Sequence, residues 1–439
     1  MIRWFAAALA AVLLIAGCAG LEGRAGCPPG GCPPCPKCPE PPKPPPTDAR
    51  YESKTFAELP GWTLAELEPS VRAFVTGCPR LDRVPALARV CAVARSLPVG
   101  DEASARAFIE GAFVPFSVAS PEGSDEGQVT GYYEPILTGS RSASATNRFP
   151  VFGVPEDLVI VDLASVQPEL RNLRLRGRLD GRRLVPYYTR AEIESRARAI
   201  SDNHRAPAPA GNPAQPASNG GAPPANTETE RARDGAPGSP PLPAPVLAWV
   251  ADPVELFFLQ IQGSGQVALD SGERIRLGYA DQNGHPYRSL GRWLVERGEL
   301  ALEQASMQGI KAWAASNPAK LDEALNSNTS YVFFREMPPT DGPIGALGAP
   351  LSAGHSIAVD RRFVPLGAPV YLATTWPLSD QILERLMVAQ DTGGAIRGAV
   401  RVDFFWGTGP DAGALAGRMR QPGRVWILWP RGEPLPRPL

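Results

Sequence analysis

Short apolar runs punctuated by glycine and proline dominate the last third of the chain: Ser356-Ile-Ala-Val359, Ala368-Pro-Val-Tyr-Leu372, Leu386-Met-Val-Ala389, Val400-Arg-Val402 and Val425-Trp-Ile-Leu428. Runs of this length between turn residues predict buried strands, as in a small barrel. Upstream, Leu158-Val-Ile-Val161 and Val246 to Val250 predict two more strands. Gly265 to Leu269, Asp270-Ser-Gly272 and Arg274 to Leu277 predict a hairpin. Helical spacing of apolar residues runs from Ala103 to Val118. Thr189-Arg-Ala-Glu192 is a capping box, and Asp252-Pro-Val-Glu255 supplies an N-cap, a proline at N1 and an acid at N3. Helices therefore begin near 190 and 253, and Asn317-Pro318 starts another. Gly263-Ser-Gly265 follows a helix rather than a strand and reads as its C-terminal turn. The chain is mainly β with some α.

Of 50 prolines, 11 lie between Pro28 and Pro46 and 11 between Pro207 and Pro245. These two low-complexity stretches lack apolar periodicity; the second, about 201–245, is expected to be a disordered surface loop. What remains is roughly 350 residues, enough for two domains with a cleft between them. Among 439 residues, 44 Lys+Arg balance 45 Asp+Glu, so the charge offers nothing to a nucleic acid.

The first residues carry an address. Met1-Ile2-Arg3 is a short basic start, Trp4 to Ile15 is almost continuously apolar, and Ile15-Ala16-Gly17-Cys18 resembles a bacterial lipobox. The run is short for a bilayer span and reads as a signal peptide over 1–17. The motif implies acylation of Cys18 and a lipid anchor; with no Asp after Cys18, the expected location is the outer membrane, facing the periplasm. Residues 18–47 then form a Cys/Pro-rich tether with semi-rigid extended backbone. Its Cys27, Cys32, Cys35 and Cys38 have spacings open to zinc or to disulfides, and export to an oxidising compartment makes disulfides the simpler reading. Cys78 and Cys91 are the candidate disulfide of the folded part, which starts near Asp48.

Three aspartates stand at predicted strand ends: Asp360, Asp391 and Asp403. Asp403 lies between Val402 and Phe404-Phe405-Trp406, where burial would raise its pKa toward that of a general acid. Asp391 heads Asp391-Thr-Gly-Gly-Ala-Ile-Arg-Gly398, a turn that lets backbone approach a ligand but lacks the ending of a phosphate-binding loop. The histidines, His204, His285 and His355, lie in loop-like sequence with no metal-binding or nucleophile motif around them, so neither a metal nor a cofactor is expected.

Seven segments in order resemble the membrane-bound lytic murein transglycosylase A family. They are Gly131-Tyr-Tyr-Glu-Pro135, Phe258 to Gly265, Asn328 to Phe334, Gly342-Pro-Ile-Gly345, Ala358-Val-Asp-Arg361, Ala389 to Gly398 and Arg401 to Gly407, and the likeness covers about Tyr51 to Pro430. The resemblance implies a double-psi β-barrel built from 48–130 and a three-aspartate part at 335–439, with a second β-barrel at 131–334 inserted between them and a glycan groove between the barrels. It implies nonhydrolytic exolytic cleavage of the β-1,4 bond from N-acetylmuramic acid to N-acetylglucosamine, leaving 1,6-anhydromuramoyl ends. Asp403 then maps to the catalytic acid, Asp391 to a second aspartate beside it, and Asp360 to a supporting position. Tyr133, Gln260, Gln262 and Ser264 are candidate sugar-binding residues, being uncharged donors and acceptors. Tyr132 and Glu134 fit structural roles equally well, and Trp406 and Trp426 fit the core better than a sugar platform. The expected partners are peptidoglycan strands and, through Cys18, outer-membrane lipid.

Two other readings stay open at this level. An inverting hydrolase would use Asp391 as base and leave reducing ends. A noncatalytic glycan-binding envelope lipoprotein would hold the wall without turnover.

Overall fold

Leu67 precedes a helix without a side-chain oxygen to cap it, and the missing acceptor comes from 35 residues away: the Glu102 carboxylate accepts the amides of Leu67 and Glu68. The computed structural model in which this is seen describes residues 48–435 apart from 166, 168–169, 171–173 and 206–239. The expected signal peptide, Cys18, the tether and most of the 201–245 stretch lie outside the described residues.

Strand β1 (Arg50–Ser53) leads to helices α1 (Glu68–Leu81), α2 (Pro85–Ala94) and α3 (Glu102–Ala112). A disulfide between Cys78 and Cys91 ties α1 to α2, as the sequence suggested. Asp101 caps α3 by accepting the Ser104 amide. The helical spacing over 103–118 is only half realised: α3 stops at Ala112, and Phe113 opens a strand, β2 (Phe113–Ala119). Pro115 has no N–H for a helix, and this segment instead pairs with both β1 and the last strand of the protein.

Strand β3 (Gly127–Glu134) carries the chain out of the first barrel, so Gly131 to Glu134 belong to that barrel rather than to the insertion. The inserted part begins with β4 (Ile136–Ser140) and β5 (Phe149–Phe152), followed by a small sheet of β6 (Val159–Asp162), β7 (Arg174–Asp180) and β8 (Arg183–Pro186). Helix α4 (Arg190–Arg205) starts at the Thr189–Glu192 capping box. It also takes in Ser201–Arg205, including His204, which the sequence assigned to the loop. The loop's other edge is ordered too: Leu242 is buried against Tyr187, Ile193 and Phe333, and Arg196 donates to the Pro240 carbonyl. Helix α4 thus reaches Arg205 at one edge of the 201–245 stretch, and the contacts of Pro240 and Leu242 hold the other edge.

The insertion continues through β9 (Val246–Val250), α5 (Pro253–Gln262), β10 (Ser264–Leu269) and β11 (Arg274–Gln282). It ends with α6 (Leu290–Glu296), α7 (Met307–Ser316), α8 (Leu321–Asn326) and β12 (Val332–Met337). Asp252 caps α5, and Gly263 ends it with a positive φ of 76°. Its sheet has the order β12-β11-β10-β4-β9-β5, and a bridge from Gly153 to Phe334 brings the two edges together around an apolar core.

The last third delivers the predicted strands: β13 (Ser356–Val359), β14 (Pro369–Thr375), β15 (Ile382–Asp391), β16 (Arg401–Thr408) and, after helix α9 (Pro410–Ala416), β17 (Arg420–Pro430). Neighbours run β3-β16-β13-β15-β14-β17, and β17 pairs back with β3, closing a ring of six strands. That ring is the expected barrel; the double-psi designation rests on the resemblance. Helices α1 to α3 cover it, burying Val71, Phe74 and Phe108 with Val370, Phe404 and Ile427 in one core. Trp426 belongs to this core, and Trp406 packs on Phe404 and Trp376.

Glu134 joins the two barrels. It is fully buried at the end of β3, where it accepts from Thr408 of the first barrel and from Gln266 and Arg276 of the second.

Candidate active site

Register brings two of the three aspartates into one row. On β16, Asp403 lies opposite Thr130 of β3 on one side and Ala358 of β13 on the other. Ala358 in turn lies opposite Asp391 of β15. A bulge makes this possible, because the pairing steps from Ala389 directly to Asp391 and leaves Gln390 out of register. Gln390 turns fully inward, donating to the Ala73 carbonyl and accepting from Ser356. Beneath the row, Tyr132, Leu351, Ala358, Ile396 and Phe405 form a small apolar floor.

Each carboxylate has its own set of partners. Asp403 accepts from the Thr130 hydroxyl at 2.6 Å, and that hydroxyl oxygen accepts from Arg401 at 2.9 Å. Asp391 accepts three hydrogen bonds: the Ala346 and Thr392 amides at 2.9 Å and the Tyr132 hydroxyl at 3.2 Å. Burial pushes the Asp403 carboxyl above the ordinary carboxylate range, against the lowering effect of the Thr130 hydrogen bond and the Arg401 charge. Burial likewise raises Asp391, to about 6, with its three donors opposing the shift and the Asp403 charge adding to it. Asp391 and Asp403 are each half-buried.

Asp360 is not part of the pair. It is buried, and its carboxylate is held by Arg362 and by the Gly398 amide. Burial works to raise its pKa, but these hydrogen bonds and the Arg362 charge outweigh it and hold the group below its usual value. Asp360 therefore clamps the far end of the 391–398 turn to β13, fixing the loop that Asp391 begins.

The four proposed sugar ligands divide. Along β3, Thr130 and Tyr132 face the aspartates, whereas Gly131 and Tyr133 face the other way. Tyr133 meets Gln262, whose side-chain oxygen accepts the Tyr133 amide at 3.1 Å. Both line a cavity of about 200 Å³ with Phe258, Tyr287 and Met307. Gln260 is buried on the core side of α5 against Tyr331, and Ser264 opens β10, half-buried. Sequence reasoning passed over Thr130 and left Tyr132 undecided; alternation from a known neighbour of Asp403 is the signal that finds both. The remaining histidines have structural partners, His285 with the Tyr187 carbonyl and His355 with Ser70. Burial, and then the Arg385 charge, lower the His355 pKa to about 4.

Comparisons with known proteins address the family and the fold of this chain. The family model for the MltA specific insert domain matches residues 128–208 and 228–335, and that for the 3D domain matches 355–429. The crystal structure of MltA from Neisseria gonorrhoeae in its monoclinic form is 38% identical, with a TM-score of 0.71, over 88% of this chain and 94% of that one. This chain belongs to the membrane-bound lytic murein transglycosylase A family.

The family's membrane-bound lytic murein transglycosylase from Agrobacterium tumefaciens gives 31% identity and a TM-score of 0.67 over 87% of this chain and 98% of that one. The membrane-bound lytic murein transglycosylase A of Escherichia coli strain K12 is 39% identical over 193 residues, 42% of this chain and 52% of the relative. The chain thus spans about half the length of the curated relatives it matches, and over 90% of these solved structures. Most of both barrels, and the Asp391–Asp403 row with Thr130 and Ala358, fall within the residues that the two family models match.

Proposed function

We propose that the protein is a peptidoglycan lytic transglycosylase, cleaving the β-1,4 bond between N-acetylmuramic acid and N-acetylglucosamine and leaving a 1,6-anhydromuramoyl end. The observation that carries this reading is the unequal treatment of two neighbouring carboxylates. Asp391 accepts three hydrogen bonds and Asp403 one, so a single proton shared by the pair resides on Asp403. Asp403 protonates the glycosidic oxygen as the C1–O bond breaks. The C6 hydroxyl of the same muramoyl unit then attacks C1 and returns its proton to Asp403, which regains its starting state. Attack from within the sugar has a large effective concentration, so no second carboxylate is needed to activate water. Asp391, ionised, keeps the proton on its neighbour and faces the positive charge that develops at C1.

Thr130 and Arg401 orient the acid, and Tyr132 orients Asp391. Tyr133 and Gln262 are proposed to hold sugar hydroxyls and acetamido groups in the adjacent cavity. The lipobox-like Ile15 to Cys18 supports anchoring of the enzyme to the outer membrane by acylated Cys18, facing the periplasm. Mass spectrometry of fragments released from purified sacculi tests the reaction: anhydro ends, lighter by one water than reducing ends, support it, and reducing ends replace it with a hydrolase using Asp391 as base. Membrane fractionation of Cys18→Ser tests the anchor, with a soluble mature protein expected.

A further inference from the structure

Helix α5 separates two cavities. Its Phe257, Phe258, Ile261 and Gln262 line the small one that holds Tyr133, while Pro253 and Leu256 line a much larger one of about 600 Å³ on its other face. That volume lies in the range of small-ligand sites. At its base is Arg190, only 2% exposed. Arg190 donates to the Asn328 and Ser330 carbonyls and to Glu194, and its guanidinium lies over the rings of Phe257 and Tyr331. These contacts fix the cation and account for the start of α4; they do not account for the open volume in front of it. The rim adds Arg148, over the ring of Phe149, and the exposed Arg198–Asp322 ion pair. The walls are small and aliphatic, from Ala143, Ala145, Pro150, Leu256 and Leu325. Burial raises the Glu194 carboxyl, opposed by Arg190, so the two charges are held in a place poor in water.

This lining is unlike a sugar site. Three guanidiniums face two carboxylates, a net charge of one positive, around surfaces that fit methyl groups. We propose that the cavity binds a short acidic peptide, the kind that branches from the muramoyl units of peptidoglycan, at a site separate from the cleavage point. Such a peptide carries free carboxylates for Arg148 and Arg198, alanine methyls for the aliphatic walls, and the ammonium of a diamino acid for Glu194 or Asp322. The inference rests on the reading of the protein as a peptidoglycan enzyme and adds a second recognition element to it. The enzyme would thereby engage peptide-bearing strands, with α5 contacting both peptide and glycan.

Calorimetric titration of the full chain with synthetic L-alanyl-γ-D-glutamyl-meso-diaminopimeloyl-D-alanine tests it. Saturable binding is expected, weakened at least about tenfold by Arg148→Glu with Arg198→Glu, since each reverses a charge facing the ligand. Ala145→Trp, at an exposed position on the wall, should fill the space and have the same effect. Both variants should keep cooperative unfolding near the wild-type temperature. Absence of binding to the wild type, or unchanged binding in both variants, overturns the proposal. Sacculi digestion run alongside separates the two readings. Anhydro products without peptide binding remove only the cavity inference, whereas peptide binding without glycan cleavage leaves the cavity and removes the enzyme reading.

Discussion

Asp403 and Asp391 stand in one row of the first barrel, on opposite sides of the same residue, Ala358. With strands about 4.8 Å apart, their α-carbons lie roughly 10 Å apart, and the intervening side chain is only a methyl group. The two acids therefore share one environment without contact in the backbone ladder. Their inequality comes from the groups around them.

Tyr132 is the simplest of those groups to remove. Tyr132→Phe deletes one of three donors to Asp391 and leaves the ring on the apolar floor. Hydrogen bonds to charged groups contribute about 1.5–3 kcal/mol, so kcat should fall roughly tenfold or more. The acid limb of the pH–rate profile should move upward, because Asp391 loses a partner for its ionised form. A profile identical to wild type would show that the hydroxyl does not tune the pair.

Asp391 should also reduce the stability of the neutral-pH fold. Its carboxyl is raised from 3.8 to about 6 by burial first, and the folded state therefore holds the proton more tightly than the unfolded chain. This contribution is fully present below about pH 4 and is lost as pH rises through about 6. Asp391→Asn should raise the melting temperature at neutral pH, with the gain shrinking toward pH 4. Thermal scans across that interval check both the sign and the pH dependence.

Glu134 is a buried charge held by three side-chain donors, Gln266, Arg276 and Thr408. Glu134→Ala leaves Arg276, itself 11% exposed at the side chain, without its carboxylate and leaves the Gln266 and Thr408 donors unpaired. Breaking such a pair costs about 3–5 kcal/mol. Because the residue bridges both barrels, denaturant titration should show a large fall in midpoint, and a separate transition for the inserted barrel would reveal how strongly it was coupled.

The Cys78–Cys91 bond closes a short loop, with a sequence separation of 13, between two helices that cover the barrel. Replacing both cysteines with alanine should cost about 2–4 kcal/mol, a figure for loops of this length. Since both are fully buried in the main core and neither is among the hydrogen-bond partners of Asp391 or Asp403, the surviving folded fraction should keep its specific activity. An activity assay corrected for folded protein distinguishes this from an effect on the site.

The sequence displayed some of this directly. Apolar runs between glycine and proline marked the five C-terminal strands, and hydrophobic neighbours marked Asp403 as a carboxyl with a raised pKa. Three things depended on long-range pairing. Which face of β3 meets Asp403 is set by its register with β16, so the sequence favoured Tyr133 as a sugar ligand and left undecided Tyr132, the residue that faces the aspartates. The bulge at Gln390, which decides that Asp391 rather than its neighbour faces Ala358, leaves no local signature. The change from α3 to β2 at Phe113 has one local sign in Pro115, but its place in the sheet comes from β1 and from β17, about 300 residues later, overriding an apolar spacing that fits a helix. Glu134, by contrast, was visible as a residue but not as a bridge, because its partners come from β10, β11 and β16.

The central claim is that Asp403 alone carries the proton in both directions. The direct measurement is the rate and terminal chemistry of fragments released from sacculi by wild type, Asp403→Asn and Asp391→Asn, with binding of each to intact sacculi measured in parallel. The amide keeps the shape of Asp403 and a hydrogen bond to Thr130 but has no acidic proton. The expected result is anhydro ends from wild type, a loss of about 10²–10⁴-fold or more in Asp403→Asn with binding retained, and a smaller loss in Asp391→Asn. Near-wild-type turnover by Asp403→Asn, or reducing ends from wild type with equal losses in the two variants, would contradict it.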